Sequence, residues 1–248
     1  MRRLLLALMM LATPAAAQEP LRLAAAGSLR AAIAEVAAAF PGGPVALSFG
    51  PSGLLRQRIA GGEAQDLFAS ANMEHPRALG PTTAFARNRL CAIARPGLAV
   101  TEDTLLDTML DPAVKLGTST PRADPAGDYA FLLFSRAEAL RPGARAALEG
   151  KALTLTGGPD SARPPEGQDP YAWQFARGAA DLFLTYCTNA VLALRADPAL
   201  RSVAVPPALS VEAEYGMVVL SPRAAPLGQF ILSAPAQAIL ARHGFAPP

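Results

Sequence analysis

The hydrophobic pattern changes period twice within the first sixty residues. Residues 21–26 (LRLAAA) form a short, nearly continuous apolar run, and past Gly27 and Ser28 the apolar positions recur at Leu29, Ile33, Val36, Ala37 and Phe40. This spacing predicts a buried strand followed by a helix that begins just after Ser28. The pattern then repeats: 45–49 alternates as a strand does, 50–53 (GPSG) is a turn, and a helix starts with Leu54 and Leu55. Two consecutive strand–Ser–helix junctions predict βα units of a parallel sheet, whose strand ends gather at one edge where ligands bind. A serine at such a junction either caps its helix or turns its hydroxyl outward. In the second case it stands beside free backbone N–H groups and the positive end of the helix dipole, a setting that favours an anion.

Further along, 66–71 reads as a short strand and 72–75 opens a turn or helix. Residues 81–88 read as a link to a strand over 89–95, followed by a helix over 104–110 and a strand over 114–118. The loop 118–127 is rich in turn residues and precedes an amphipathic helix opening at Asp128, with helix continuing over 135–149. This third junction presents the amides of Ala126, Gly127 and Asp128. A strand over 153–156 leads to a loop over 157–170 whose prolines exclude regular structure. The strand 179–186 ends at Tyr186 and a helix covers 190–195. A strand at 202–206, a return strand over 211–220 and helices over 227–240 complete the chain.

Composition adds three constraints. The first residues combine Arg2 and Arg3, an apolar segment over 4–12 and the small residues Ala15, Ala16 and Ala17, which is the layout of a secretory signal over 1–17, cleaved before Gln18. The apolar segment is short for a bilayer, so an exported, soluble chain with no membrane insertion is expected. Removing Arg2 and Arg3 leaves basic and acidic residues balanced at 20 each, which gives no nucleic-acid footprint. The two cysteines, Cys91 and Cys187, are compatible in an oxidising compartment either with a disulfide or with two separate buried thiols. Closed, such a bond would contribute up to roughly 4 to 5 kcal/mol in the chain-entropy picture. Two Cys with His75 and His243, lacking any close ligand spacing, make a poor metal set, and no cofactor is implied.

The ordered series AAAGSL, SFGPSG, QDLFASANMEH and DPAGDYA, with the ending ARHGF, resembles the molybdate-binding periplasmic proteins, the substrate-binding components of molybdate ABC transporters. The resemblance covers most of the mature chain. It implies a two-lobed α/β type II periplasmic binding protein, each lobe a mostly parallel sheet flanked by helices, the two hinged by crossover strands. The expected lobes are 18–89 with 210–248, and 90–209. It further implies a monomer in the periplasm that takes molybdate or tungstate from solution and delivers it to ABC permease subunits. Carried over by position, the oxyanion-binding residues are Ser28, Ser52 and Ala71 in the first lobe, and Ala126, Gln168 and Tyr186 in the second. Gly27, Gly127, Thr188 and Asn189 are possible additions. Gln168 stands where that family has a valine in a shorter loop, and Cys187, Thr188 and Asn189 replace its usual small and acidic residues.

The chemistry of that set is consistent. Hydrogen bonds to a charged partner contribute about 1.5 to 3 kcal/mol each, so several neutral donors can hold a dianion without a buried cation. A fully deprotonated oxyanion accepts every such bond, whereas hydrogen phosphate brings a donor that would lack an acceptor. Sulfate or another small anion is the alternative ligand. An exported hydrolase is the remote alternative: no GxSxG motif is present, both histidines fall in segments read as surface helix, and Asp124 and Asp128 read as helix caps.

Overall fold

The computed structural model describes residues 19–248, so the secretory signal expected over 1–17 lies outside the described residues. The elements run β1 Leu21–Ala26, a single 3-10 turn Gly27–Leu29, α1 Arg30–Ala39, β2 Val45–Gly50, α2 Ser52–Ala60, β3 Leu67–Ser70, α3 Glu74–Arg77 and β4 Thr82–Ala94. They continue with α4 Leu105–Leu110, β5 Leu116–Ser119, α5 Pro125–Leu140, α6 Ala144–Lys151, β6 Leu153–Thr156, α7 Pro170–Ala176 and β7 Leu182–Tyr186. The last are α8 Cys187–Ala196, β8 Arg201–Ala204, β9 Glu212–Val219, α9 Ala225–Leu232 and α10 Ala234–Arg242.

The strands form one curled sheet in the order β2-β1-β3-β9-β4-β7-β5-β6, with β8 also on β4. β1 lies parallel to β2 and β3, as the two strand–Ser–helix junctions predict. Its near-continuous apolar run follows from burial on both faces: Leu23 and Ala25 pack with Ile33 and Val36 of α1, while Ala24 packs with Leu55 of α2. A second parallel group, β5 with β6 and β7, stands at the other end. The long strand β4 joins the two. Up to Arg89 it pairs antiparallel with β9, and from Leu90 onward it pairs with β7 and β8.

Four local expectations differ from what is seen. Residues 81–88 are not a link: they pair with β9 and form the first half of β4, around a register shift between Ala84 and Ala86. The helix expected over 135–149 is two helices, because Pro142 and the left-handed Gly143 (φ 84°) separate α5 from α6. The Pro-rich loop ends in α7, whose proline sits at the first helical position, where the missing N–H costs no intrahelical bond. His75 is buried on α3 rather than exposed, and its Nε2 has no hydrogen-bond partner among the described residues.

Cys91 on β4 and Cys187 at the start of α8 form a disulfide, their Cα atoms 4.8 Å apart. The bond lies wholly within the β7, β8 and α8 end of the molecule.

Candidate functional site

The strand ends of both halves meet where β4 changes partners, and the serines point there instead of capping helices. The α1 helix starts after Leu29 without a side-chain cap, and the Ser28 hydroxyl is paired with Tyr215 on β9, Oγ to Oη, at 2.9 Å. Ser52 is fully buried at the start of α2, and its Oγ accepts from the Ala71 N–H at 3.1 Å. The carbonyl of Ala71 in turn accepts from the Tyr186 hydroxyl at 3.1 Å, across from the first half of the fold to the second. Tyr186 and Tyr215 lie ring against ring, with centroids 5.5 Å apart. Ser52, Ala71, Tyr186, Tyr215 and Ser28 thus form one connected chain of neutral polar groups.

Asn88 extends it, donating from Nδ2 to Tyr215 Oη at 3.2 Å and to Thr188 Oγ1 at 2.8 Å. Of the other two tyrosines of the chain, Tyr129 packs on Tyr186, and Tyr171 packs edge to face with Phe183 of β7. Burial pushes all four phenols up, Tyr129 to about 12. They therefore serve as neutral hydrogen-bonding groups at any physiological pH.

The third junction closes the site from the other half. Ala126 is buried near the start of α5, and its N–H is donated to Oδ1 of Asp124, the helix N-cap, at 3.1 Å. The Gly127 N–H goes to the Asp124 carbonyl at 2.9 Å. Burial raises the pKa of the Asp124 carboxyl to about 6, against the lowering effects of the Ala126 and Ser119 hydrogen bonds, and Asp128 nearby raises it further. The two halves also touch through backbone. The Gly53 N–H, at the start of α2, donates to the Ala123 carbonyl at 2.8 Å. Beside these contacts a groove of about 820 Å³ separates the β2–α2 turn, at Gly50 and Pro51, from the loop at Gly157, Gly158 and Pro164.

Of the residues expected to bind an oxyanion, hydrogen bonds link Ser52, Ala71 and Tyr186, Ser28 joins them through Tyr215, and Ala126 stands in the first turn of α5, bonded to Asp124. Gln168 is not among them: this residue is exposed on a turn, and its N–H donates to the Pro165 carbonyl at 3.1 Å. The start of α7 behind it is capped by Asp169, which accepts from the Tyr171 and Ala172 N–H groups, so these amides are already taken. Gly27 stands in open space at the first junction, and Gly127 packs against the Ser119 carbonyl. Asn189 faces inward, donating to Tyr171 Oη at 2.8 Å and Thr185 Oγ1 at 3.0 Å, and Thr188 is held by Asn88.

Three participants were missed from the sequence. Tyr215 shares the inward face of β9 with Ala213 and Met217, a period-2 signal that was legible but reads equally as core. Asn88 is a buried amide in the middle of β4, within residues that read as a link. Asp124 reads correctly as a cap, but nothing local shows that its cap bond uses the Ala126 amide at the cleft. Among the described residues no cluster of His, Cys, Asp and Glu could hold a metal ion, and neither histidine hydrogen-bonds to Ser28 or Ser52.

A mixed α/β sheet flanked by helices, with neutral donors at the meeting point of two strand bundles, is the architecture of a periplasmic binding protein. The chain belongs to the bacterial extracellular solute-binding protein family, whose sequence pattern matches residues 21–246. It is 40% identical over 187 residues to an uncharacterised protein of Pasteurella multocida (strain Pm70), spanning 73% of this chain and 77% of that one. Among solved structures, the sulfate-binding protein SubI of Mycobacterium tuberculosis H37Rv superposes with a TM-score of 0.73 at 18% identity, covering 93% of this chain and 87% of SubI. The periplasmic molybdate-binding protein of Azotobacter vinelandii gives 0.70 at 20% identity, covering 92% and 99%. Peb3 of Campylobacter jejuni gives 0.68 at 14% identity, covering 92% and 100%. The family is one of extracellular solute-binding proteins, and SubI and the Azotobacter vinelandii protein are likewise named for the solutes they bind.

Proposed function

We propose that this chain captures a small tetrahedral oxyanion, molybdate or tungstate first and sulfate second, in the periplasm and hands it to ABC permease subunits. The ligand sits between a lobe of 18–89 with 210–248 and a lobe of 90–209, and bridges them. The observation that carries this reading is the chain from Ser52 through Ala71 to Tyr186, in which hydroxyl and amide donors of both halves converge within hydrogen-bonding distance of one another. Ser28 and the Ala126 N–H complete the donor set, and Gln168 is left out of it. A ligand that bridges donors on both lobes binds the closed arrangement better than the open one and so shifts the population toward it.

The test is calorimetric titration of the anion-free protein with molybdate, tungstate, sulfate and phosphate. Binding of molybdate or tungstate at micromolar or tighter, about −8 kcal/mol or better, weakened by Ser28→Ala, is the expected outcome. Absence of heat with all four ions would overturn it.

A further inference from the structure

We propose that Asp124 couples oxyanion capture to the uptake of one proton, so that the complex forms from protein, anion and H⁺ together; this rests on the oxyanion reading above. The Ala126 N–H is a single donor with two claimants. The Asp124 Oδ1 atom accepts it at 3.1 Å, and an oxyanion held at the start of α5 would require the same N–H. An ionised carboxylate at the start of α5 also offsets the positive end of that 16-residue helix, which is what would attract the ligand. A dianion arriving there would stand beside an uncompensated negative charge.

The carboxyl cannot readily turn away toward β6. A Cβ on Gly157, which has φ +78°, would lie 2.5 Å from Asp124 Cβ and 2.6 Å from Oδ2, so the side chain already occupies the room that this glycine leaves. Nor does a cation relieve it. The titratable groups that face it are Asp128 on its own helix, Tyr171 on α7, Tyr186 on β7 and Tyr215 on β9, and among the described residues no salt bridge includes Asp124. Protonation resolves the conflict. The neutral carboxyl releases the Ala126 N–H to the ligand and becomes a donor itself, so the pair of Asp124 and dianion carries one negative charge fewer. Burial has already brought this carboxyl to about 6, within reach of neutrality.

Molybdate and sulfate are both dianions between pH 6.5 and 8.5, so any proton taken up in that range ends on the protein or in its complex. Titration calorimetry in buffers of different ionisation enthalpy is expected to count close to one proton bound per ligand at pH 7.5. The association constant is expected to fall about tenfold per pH unit above the Asp124 value. Asp124→Asn, which keeps a cap acceptor, is expected to bind with no proton uptake and a flat profile. Binding by the natural protein with no proton taken up, or uptake that persists in Asp124→Asn, overturns the inference while leaving the oxyanion reading intact. Failure of both proteins to bind either ion at any pH removes that reading, and this inference with it. Should Asp124→Asn lose its cooperative melt, the proton count of the natural protein decides alone.

Discussion

The Gly53 amide donates to the Ala123 carbonyl at 2.8 Å, and this backbone contact joins the start of α2 to the loop that leads into α5. A glycine is required there by space alone. A Cβ at residue 53 would lie 2.2 Å from the Arg122 carbonyl oxygen and 2.8 Å from that of Ala123, so the two halves would have to separate to admit it. Gly53→Ala is therefore expected to hold the cleft open. Small-angle scattering should show a larger radius of gyration in the presence of ligand, and ligand affinity should drop at least about tenfold, the equivalent of about 1.4 kcal/mol. A variant with natural dimensions and affinity would show that the contact does not govern closure.

Ser52 and Ser28 differ in what their loss leaves behind. Ser52→Ala strands the buried Ala71 N–H without its acceptor, which costs about 1 to 3 kcal/mol. Ser28 is half-buried and its partner Tyr215 keeps the Asn88 bond, so Ser28→Ala is expected to cost under about 1 kcal/mol. Urea denaturation should rank them in this order, whereas both should weaken oxyanion binding.

Tyr186→Phe retains the ring that packs on Tyr129 and Tyr215 but removes the donor to the Ala71 carbonyl. The expected result is a loss of about 1 to 3 kcal/mol in stability, since a buried acceptor is left unmatched. Oxyanion affinity should fall with it, and calorimetry on the same preparation reads both.

The Cys91–Cys187 bond ties β4 to α8 within one half of the molecule and does not cross the cleft. Double replacement by alanine is expected to lower stability by about 2 to 5 kcal/mol, in line with the loss of a native disulfide closing a long loop. Ligand affinity, measured well below the melting temperature, should change little. A large affinity loss without a stability loss would mean that the bond positions the site.

The Asp124 carboxyl also sets a pH dependence of folding. Its folded value of about 6 lies above the ordinary 3.8, so the protonated form stabilises the fold below the ordinary value and this contribution is lost as pH rises through 6. Asp124→Asn should accordingly match the natural protein near pH 3.5 and exceed it at pH 7. The gain should be at most about 3 kcal/mol, reduced to the degree that water reaches the partly exposed carboxyl. Thermal melts across that range test the sign.

The strand–Ser–helix junctions were legible because each is decided within a dozen residues, by a change from a continuous apolar run to helical spacing across a turn. From them came the parallel β1–β2 pair and the edge where Ser28 and Ser52 stand, whereas α5 begins at Pro125, three residues ahead of the Asp128 expected, with Asp124 as its cap. The resemblance then named Ala71, Ala126 and Tyr186; Ala71 and Tyr186 are joined by a hydrogen bond, and Ala126 lies in the first turn of α5. Where local rules compete, the chain alone was ambiguous. Pro170 reads as a breaker but opens a helix, and residues 82–88 read as a link because the pairing that makes them a strand comes from β9, near the other end of the chain.

What only the tertiary structure decided is which partner each polar group finds. Ser28 reaches Tyr215 across 187 residues, and Tyr186 reaches Ala71 across 115. Cys91 meets Cys187, and Gln168 is exposed, its N–H donated to the Pro165 carbonyl just ahead of the Asp169 cap. A residue's type limits what it can bond, and its neighbours in sequence set the backbone that carries it. The choice between a cap, a core contact and a ligand donor depends on where the rest of the sheet puts the opposing group.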